Sequence, residues 1–293
     1  MSKRESQVLR LREDPDYFRA AVTFTAQVTT FSPRLIEKDY LCTVLLEYLA
    51  AAGRELVFKG GTCLAKVHAN FYRLSEDLDF VVPMPEDAPR SQRSKRAVAL
   101  KAAIAALPER LPFFRVIEPL AGANNSTQYN AVVGYTPLAG REEDTIKIEV
   151  GLREPLVLPV LAGPAQTILL DPNSDKPLIP PLSVRCIAKT EAFAEKFRAA
   201  LSRREVAARD FFDLDYAVRK LGLRVNDAEL IGLVRQKLGV RGNEPVDVSA
   251  GRLARLRQQI IPQLQPVLRA KDFEEFEVER AFRLVTEMAA KTT

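Results

Sequence analysis

Phe58 to Val82 reads FKGGTCLAKVHANFYRLSEDLDFVV. Two adjacent glycines, Gly60 and Gly61, and a hydroxyl residue, Thr62, come first. Two aspartates at alternating positions, Asp77 and Asp79, follow. The short apolar run LVF before the glycines predicts a strand that turns at Gly60–Gly61, with Thr62 capping a helix over CLAKVHANFY. LDFVV, from Leu78 to Val82, predicts a second, largely buried strand. Residues two apart in a strand share a face, so Asp77 and Asp79 point one way while Leu78 and Phe80 point into the core. Two carboxylates that close repel unless solvent or a cation neutralises them, and such oxygen donors suit Mg²⁺ or Mn²⁺. Taken alone the pair reads more simply as an exposed strand end with two solvated aspartates, since short acidic pairs are common.

The flanking sequence extends the pattern. Residues from about Pro15 to Ala52 read as helical, with Pro33 after Ser32 marking a start and Gly53 a stop. A helix is predicted from about Ser91 to Ala106. Three extended stretches follow, FFRVIEP, TQYNAVVGYTP and TIKIEVGL, joined by GANNS and LAGREED turns, with antiparallel returns. In TIKIEVGL the apolar Ile146, Ile148 and Val150 alternate with Lys147 and Glu149, so Glu149 projects from the polar face of a strand able to lie beside Asp77–Asp79. Three carboxylates on two neighbouring strands can hold two divalent ions about 4 Å apart, the arrangement of phosphoryl and nucleotidyl transfer. An ion pair with an adjacent strand is the competing reading for Glu149. The glycines favour the first, because they let backbone approach a bulky ligand and lead into a helix start whose free N–H groups attract phosphate. No Walker A loop is present, since Lys59 precedes the glycines.

Seven prolines between residues 155 and 183 exclude a long helix and predict a connector with one or two short strands. From Val184 the pattern is helical to the end: VRCIAKTEAFAEKFRAALSRR, AARDFFDLDYAVRKLG, NDAELIGLVRQKLG with Asn226 and Glu229 as a capping box, and two further amphipathic helices. Lys189, Lys196 and Arg203 recur every seven residues and share a face, a stripe suited to triphosphate or RNA, or to inter-helix ion pairs in which Lys196 simply meets Asp210. Asp210 and Asp213 share another. The expected architecture is α+β with an α/β core, a mixed sheet flanked by helices, divided into N-terminal helices (1–53), a core with its connector (54–183) and a C-terminal helical domain (184–293).

Composition sets outer limits. The 293 residues are 47% hydrophobic and 28% charged, with 13 glycines, the profile of a folded protein. No apolar run approaches the roughly 20 residues of a membrane span. The polar N-terminus lacks the apolar stretch of a secretory signal, which points to the cytoplasm. A net charge of +5 is compatible with a phosphate-rich partner. Basic runs at Arg90, Arg93, Lys95 and Arg96, at Arg203 and Arg204, and at Arg252, Arg255 and Arg257 read as solvated helix faces. Cys42, Cys63 and Cys186 lie far apart with no CxxC pair, which argues against a disulfide framework and a zinc site and for buried thiols. The lone His68 reads as a structural or surface residue.

The order FKGGTxLxK, then R-x-SEDLDF, then a later strand carboxylate resembles the nucleotidyltransferase fold of the DNA polymerase β type, and specifically the AbiEii/AbiGii (MenT-like) toxin family. AEKFRAALSRREVAARDFFDLDYAV is similar to that family's EK-x-x-AL-x-x-R followed by RD-x-x-DL, so the resemblance runs from Leu56 to about Leu221. It implies that Asp77, Asp79 and Glu149 bind metal (Mg²⁺ or Mn²⁺) and that Gly60, Gly61 and Thr62, with Lys59, Lys66 and Ser75, hold a nucleoside triphosphate. Lys196 and Asp210, with Arg209 and Asp213, would complete catalysis and nucleotide binding. It further implies a bacterial toxin–antitoxin or abortive-infection toxin that adds nucleotides to the tRNA 3′ end, with a cognate antitoxin. Transfer to a protein or small molecule, and a silent nucleotide- or RNA-binding regulator, stay open.

Overall fold

The computed structural model describes residues 11–140 and 142–292. Met1–Arg10, part of the segment read above as too polar for a signal, and Arg141 in the LAGREED turn lie outside the described residues. The chain divides into two compact units. The first runs to Leu156 and resumes over Val160–Ile187, and the second takes Val157–Pro159 and everything from Ala188.

Two helices open the first unit. In α1 (Pro15–Thr29) the Asp14 carboxylate accepts the Tyr17 N–H, and Thr30 ends the helix in the left-handed region at φ 62°. In α2 (Pro33–Ala52) Ser32 caps the Leu35 N–H, as the Ser-Pro start predicts. β1 (Val57–Lys59) then enters α3 (Gly60–Cys63), which continues as one π turn over Leu64–His68. The predicted longer helix is corrected here: it stops at His68, and Asn70 and Phe71 turn the chain back at positive φ. Thr62 is not a cap but lies inside the first turn, its hydroxyl donating to the Asp77 carbonyl.

After β2 (Leu78–Val81) come α4 (Arg90–Arg96), α5 (Val98–Ala105), α6 (Leu107–Arg110) and five strands: β3 (Phe114–Ala123), β4 (Gln128–Tyr135), β5 (Asp144–Gly151), β6 (Leu161–Ala165) and β7 (Leu182–Cys186). They form a seven-stranded mixed sheet in the order β3-β4-β5-β2-β1-β7-β6. β3, β4 and β5 pair antiparallel, β5 runs parallel to β2, and β1 lies antiparallel to β2 and parallel to β7. β7 corrects the helical reading of VRCIA. Val184 and Cys186 are buried while Ser183 and Arg185 are exposed, a period of two that seats the segment between β1 and β6.

Charged groups also sit inside this unit. Asp39 of α2 ion-pairs with Lys66 at 2.6 Å and accepts the Thr167 hydroxyl and the Ile168 N–H. The Arg93 guanidinium, expected on a solvated face, is buried and donates to the Leu152 and Glu86 carbonyls.

The second unit contains α7 (Lys189–Ser202), α8 (Ala208–Lys220), α9 (Ala228–Gly239), α10 (Ala250–Leu264), α11 (Ala270–Glu274) and α12 (Val278–Thr292). The cap of α9 is Asp227, which accepts the Leu230 N–H, one residue later than the predicted Asn226. Phe211 and Leu214 of α8 are buried, and Phe211 stacks on Phe282 of α12 at 6.1 Å. Arg252, another residue of a predicted solvated run, is 2% exposed and donates to the carbonyls of Ala200 and Arg203, which the end of α7 leaves without helical partners. Buried Lys237 pairs with Glu191 at 2.6 Å, while Glu191 accepts the N–H groups of Val157 and Leu158. That carboxylate explains why Val157–Pro159 belongs with the helices.

Candidate active site

The register of three strands assembles the site. Asp79 of β2 lies opposite Lys59 of β1 on one side and Glu149 of β5 on the other, and Glu149 lies opposite Asn130 of β4. Directly paired residues project to the same face of a sheet, and neighbouring strands run about 4.8 Å apart. Lys59, Asp79, Glu149 and Asn130 therefore form one cross-strand row. Asp77, two residues before Asp79 and just ahead of β2, belongs to the same side by the pleat. Asp77, Asp79 and Glu149 are all of intermediate exposure, while Leu78, Phe80, Ile148 and Val150 between them are buried. Acidic edge and apolar core thus come from one alternation. Lys147, also on β5, contacts Glu149 at 3.4 Å.

The glycine turn is built against this row. Gly60 has φ +75°, a conformation that costs side-chain-bearing residues about 1–2 kcal/mol, and a Cβ there would run into the Asp79 carboxylate. A Cβ on Gly61 would lie 2.6 Å from Arg73 Nη2 and 3.2 Å from Ser75 Oγ. The backbone of the turn, the Ser75 hydroxyl and a buried guanidinium therefore meet at one point. Arg73 belongs to the R-x-SEDLDF stretch, but sequence reasoning gave it no role. It is 1% exposed, and its guanidinium lies 5.7 Å from the Tyr72 ring centroid and donates to the Leu74 carbonyl. The Thr62 hydroxyl ties the turn to the carbonyl of Asp77.

Lys66 is placed elsewhere. Its ammonium is fully buried and engaged by Asp39, the Thr43 hydroxyl and the carbonyls of Asp39 and Gln166, so it anchors the glycine helix to α2 rather than reaching a phosphate.

A second charged group holds the acidic strands in place. Lys38 of α2 bridges Glu76 at 3.2 Å and Asp144 at 3.1 Å, and Arg34 contacts the same two carboxylates at 2.5 Å each. Glu76 directly precedes Asp77, and Asp144 begins β5. Burial alone would raise both carboxyls. For Glu76 the charges of Lys38 and Arg34 outweigh it, and for Asp144 the Thr145 N–H together with Lys38 and Arg34 does, so each is held below its ordinary range.

The C-terminal motif lies in the helical unit and closes on itself there. Lys196 of α7 pairs with Asp210 at 2.7 Å and Asp213 at 2.8 Å on α8, and Arg203 meets Asp210 at 3.2 Å. Arg209 is of intermediate exposure beside them, and Lys189, the third member of the basic stripe, is exposed.

Three carboxylates, two on adjoining strands and one just ahead of β2, are oxygen donors of the kind a hard divalent cation takes, and they lie beside a glycine turn with an arginine beneath it. The seven-stranded mixed sheet flanked by helices is a nucleotidyltransferase fold. The chain belongs to the family "Nucleotidyl transferase AbiEii toxin, Type IV TA system", which it matches over residues 44–290. Two crystal structures from Helicobacter pylori share the fold. JHP933 is 16% identical with TM-score 0.51, covering 89% of this chain and 93% of its own. A candidate nucleotidyltransferase is 16% identical with TM-score 0.50, covering 89% and 96%. No curated protein matches the chain. Among the described residues no helix is long and apolar enough to cross a membrane.

Proposed function

We propose that this member of a type IV toxin–antitoxin family is a divalent-cation-dependent toxin that transfers nucleotides from a nucleoside triphosphate to the 3′ end of tRNA in the cytoplasm, restrained by a cognate antitoxin. The observation that carries the reading is the pairing of Asp79 with Glu149 across β2 and β5, with Asp77 on the same side. Bound there, Mg²⁺ or Mn²⁺ would supply Lewis-acid stabilisation of charge on the phosphates and a lower pKa for the attacking hydroxyl. The chain's own residues do the rest. Backbone N–H groups at Gly60 and Gly61, the Ser75 hydroxyl and Lys59 hold the triphosphate in line, and buried Arg73 offsets its charge from below. The acceptor hydroxyl then gives up its proton to solvent as its oxygen bonds to the α-phosphorus and the bond to pyrophosphate breaks.

The test is incubation of the purified chain with each of the four labelled triphosphates and total tRNA, with and without a chelator, beside Asp77→Asn and Asp79→Asn. Label in tRNA that chelation and both substitutions remove supports the proposal. Label on a protein or small-molecule acceptor instead would reassign the substrate. Growth inhibition that survives both substitutions would sink catalysis in favour of a silent nucleotide- or RNA-binding regulator.

A further inference from the structure

Behind the glycine turn, Cys63, His68 and Cys186 each offer one donor atom, and all three atoms lie within 4.8 Å of one another. Cys63 ends α3 directly after Thr62, and His68 ends the π turn. Residues five apart diverge on an α-helix, whereas the i→i+5 ladder of a π turn stacks them. The third donor comes from the end of β7, where Cys186 pairs with Phe58 of β1 and Leu161 of β6. Both cysteines are fully buried and free of disulfides, and His68 is of intermediate exposure, which leaves a route from the surface.

The orientation of the imidazole points to a ligand, and the packing around Cys186 fixes its partner. His68 Nε2 lies 2.9 Å from the Ile187 carbonyl. A carbonyl can only accept, so Nε2 carries a proton and Nδ1 is the nitrogen left to offer a lone pair from the neutral ring. A backbone carbonyl fixing the tautomer of a histidine in this way is the usual outer support of a metal-bound imidazole. Beside Cys186, position 163 is glycine, and a Cβ there would stand 2.7 Å from the Cys186 sulfur and 2.5 Å from Val67 Cγ1. Glycine at this position lets the β6 backbone pack directly against the thiol and so fixes where the sulfur sits.

We infer that Cys63, His68 and Cys186 form a site for one thiophilic divalent ion, zinc by its donor set, separate in chemistry from the carboxylate row. Two thiolates and a neutral imidazole neutralise Zn²⁺ and leave a fourth position for water, whereas Mg²⁺ and Mn²⁺ favour oxygen donors. The ion would tie the end of the glycine helix to β7, so its occupancy sets how firmly Gly60–Thr62 is held. The spacing argument against zinc is thereby reversed: no CxxC is needed when a helix and a distant strand converge.

The experiment uses the full-length chain, reduced and stripped with chelator. Zn²⁺ is titrated and counted by elemental analysis, and Co²⁺ is titrated as a spectroscopic probe. One ion per chain and a thiolate-to-cobalt charge-transfer band are expected. The band should vanish in Cys186→Ser and Cys63→Ser and persist in Cys42→Ser, and His68→Ala should weaken zinc at least about tenfold, the lower end of what even outer-sphere changes cost. If a cysteine variant fails to fold, the unmodified chain and His68→Ala decide the matter. Absence of the band in the unmodified chain, its survival in folded Cys186→Ser, or oxidation to a Cys63–Cys186 disulfide without any metal uptake would each overturn the inference.

Discussion

Gly60 and Asp79 occupy touching positions: the hydrogen on the Gly60 α-carbon stands where a methyl group would strike the Asp79 carboxylate. The turn read as a phosphate cradle and the strand read as a metal platform therefore cannot move independently. Gly60→Ala should cost about 1–2 kcal/mol in stability through its φ of +75° and, in addition, displace Asp79 and abolish transfer. Gly222 is the control, since it has φ +72° with nothing near its missing Cβ. Gly222→Ala should lose comparable stability in urea denaturation yet keep its activity, and equal activity losses in the two variants would refute the coupling.

Glu149→Gln keeps shape but removes the charge opposite Asp79. Transfer should fall by at least about 100-fold, the upper end of what outer-sphere changes at metal sites cost, with the thermal midpoint nearly unchanged. Lys147→Gln, which removes only the exposed 3.4 Å partner of Glu149, should change rate by less than tenfold, since exposed pairs are worth about 0–1 kcal/mol. Manganese binding measured calorimetrically in both variants separates a ligand from a neighbour.

Acid should loosen the clamp on the acidic strands. Glu76 and Asp144 are held below their ordinary values of 4.5 and 3.8, so the stability they lend is complete above those values and is lost as pH falls through the lower folded ones. Glu76→Gln should be less stable than the unmodified chain at neutral pH, and the gap should close once the pH falls well below 4.5. Urea midpoints measured across that range read it out, and a pH-independent gap would show that ionisation is not the cause.

In the helical unit, Lys196→Met would remove the ammonium that two buried carboxylates share. The loss should be about 3 kcal/mol, the lower end for breaking a buried pair, because Arg203 still faces Asp210 at 3.2 Å. Adding Asp213→Asn should recover part of it, since Asp213 is fully buried and neutralising it lowers the cost of keeping its charge out of water. Additive losses in the double variant would contradict this network.

The local signals were readable in the sequence. Gly60–Gly61, the Asp77–Asp79 alternation and the polar face of TIKIEVGL rest on backbone periodicity, and the helix starts at Ser32 and Pro33 on capping chemistry. The features that escaped reading depend on partners far away in the chain. Lys66 looks like a phosphate ligand until Asp39 is found beneath it. Arg93 and Arg252 look solvated until the carbonyls they satisfy are seen. VRCIA is too short for its period of two to stand out against the long helical pattern that follows, and only β1 and β6 on either side make it a strand. Cys63 and Cys186 show no spacing at all, because a helix end and a strand end bring them together.

The return of Val157–Pro159 to the helical unit also bears on synthesis at the ribosome. Glu191 accepts the N–H groups of Val157 and Leu158 and pairs with the Lys237 ammonium. A nascent chain has made residues 157–159 well before α9 emerges, so that short segment must wait for its buried carboxylate and ammonium. The helical half is therefore not a cassette that a single cut after Ile187 could release intact, and a fragment beginning at Ala188 leaves Glu191 facing two absent backbone donors.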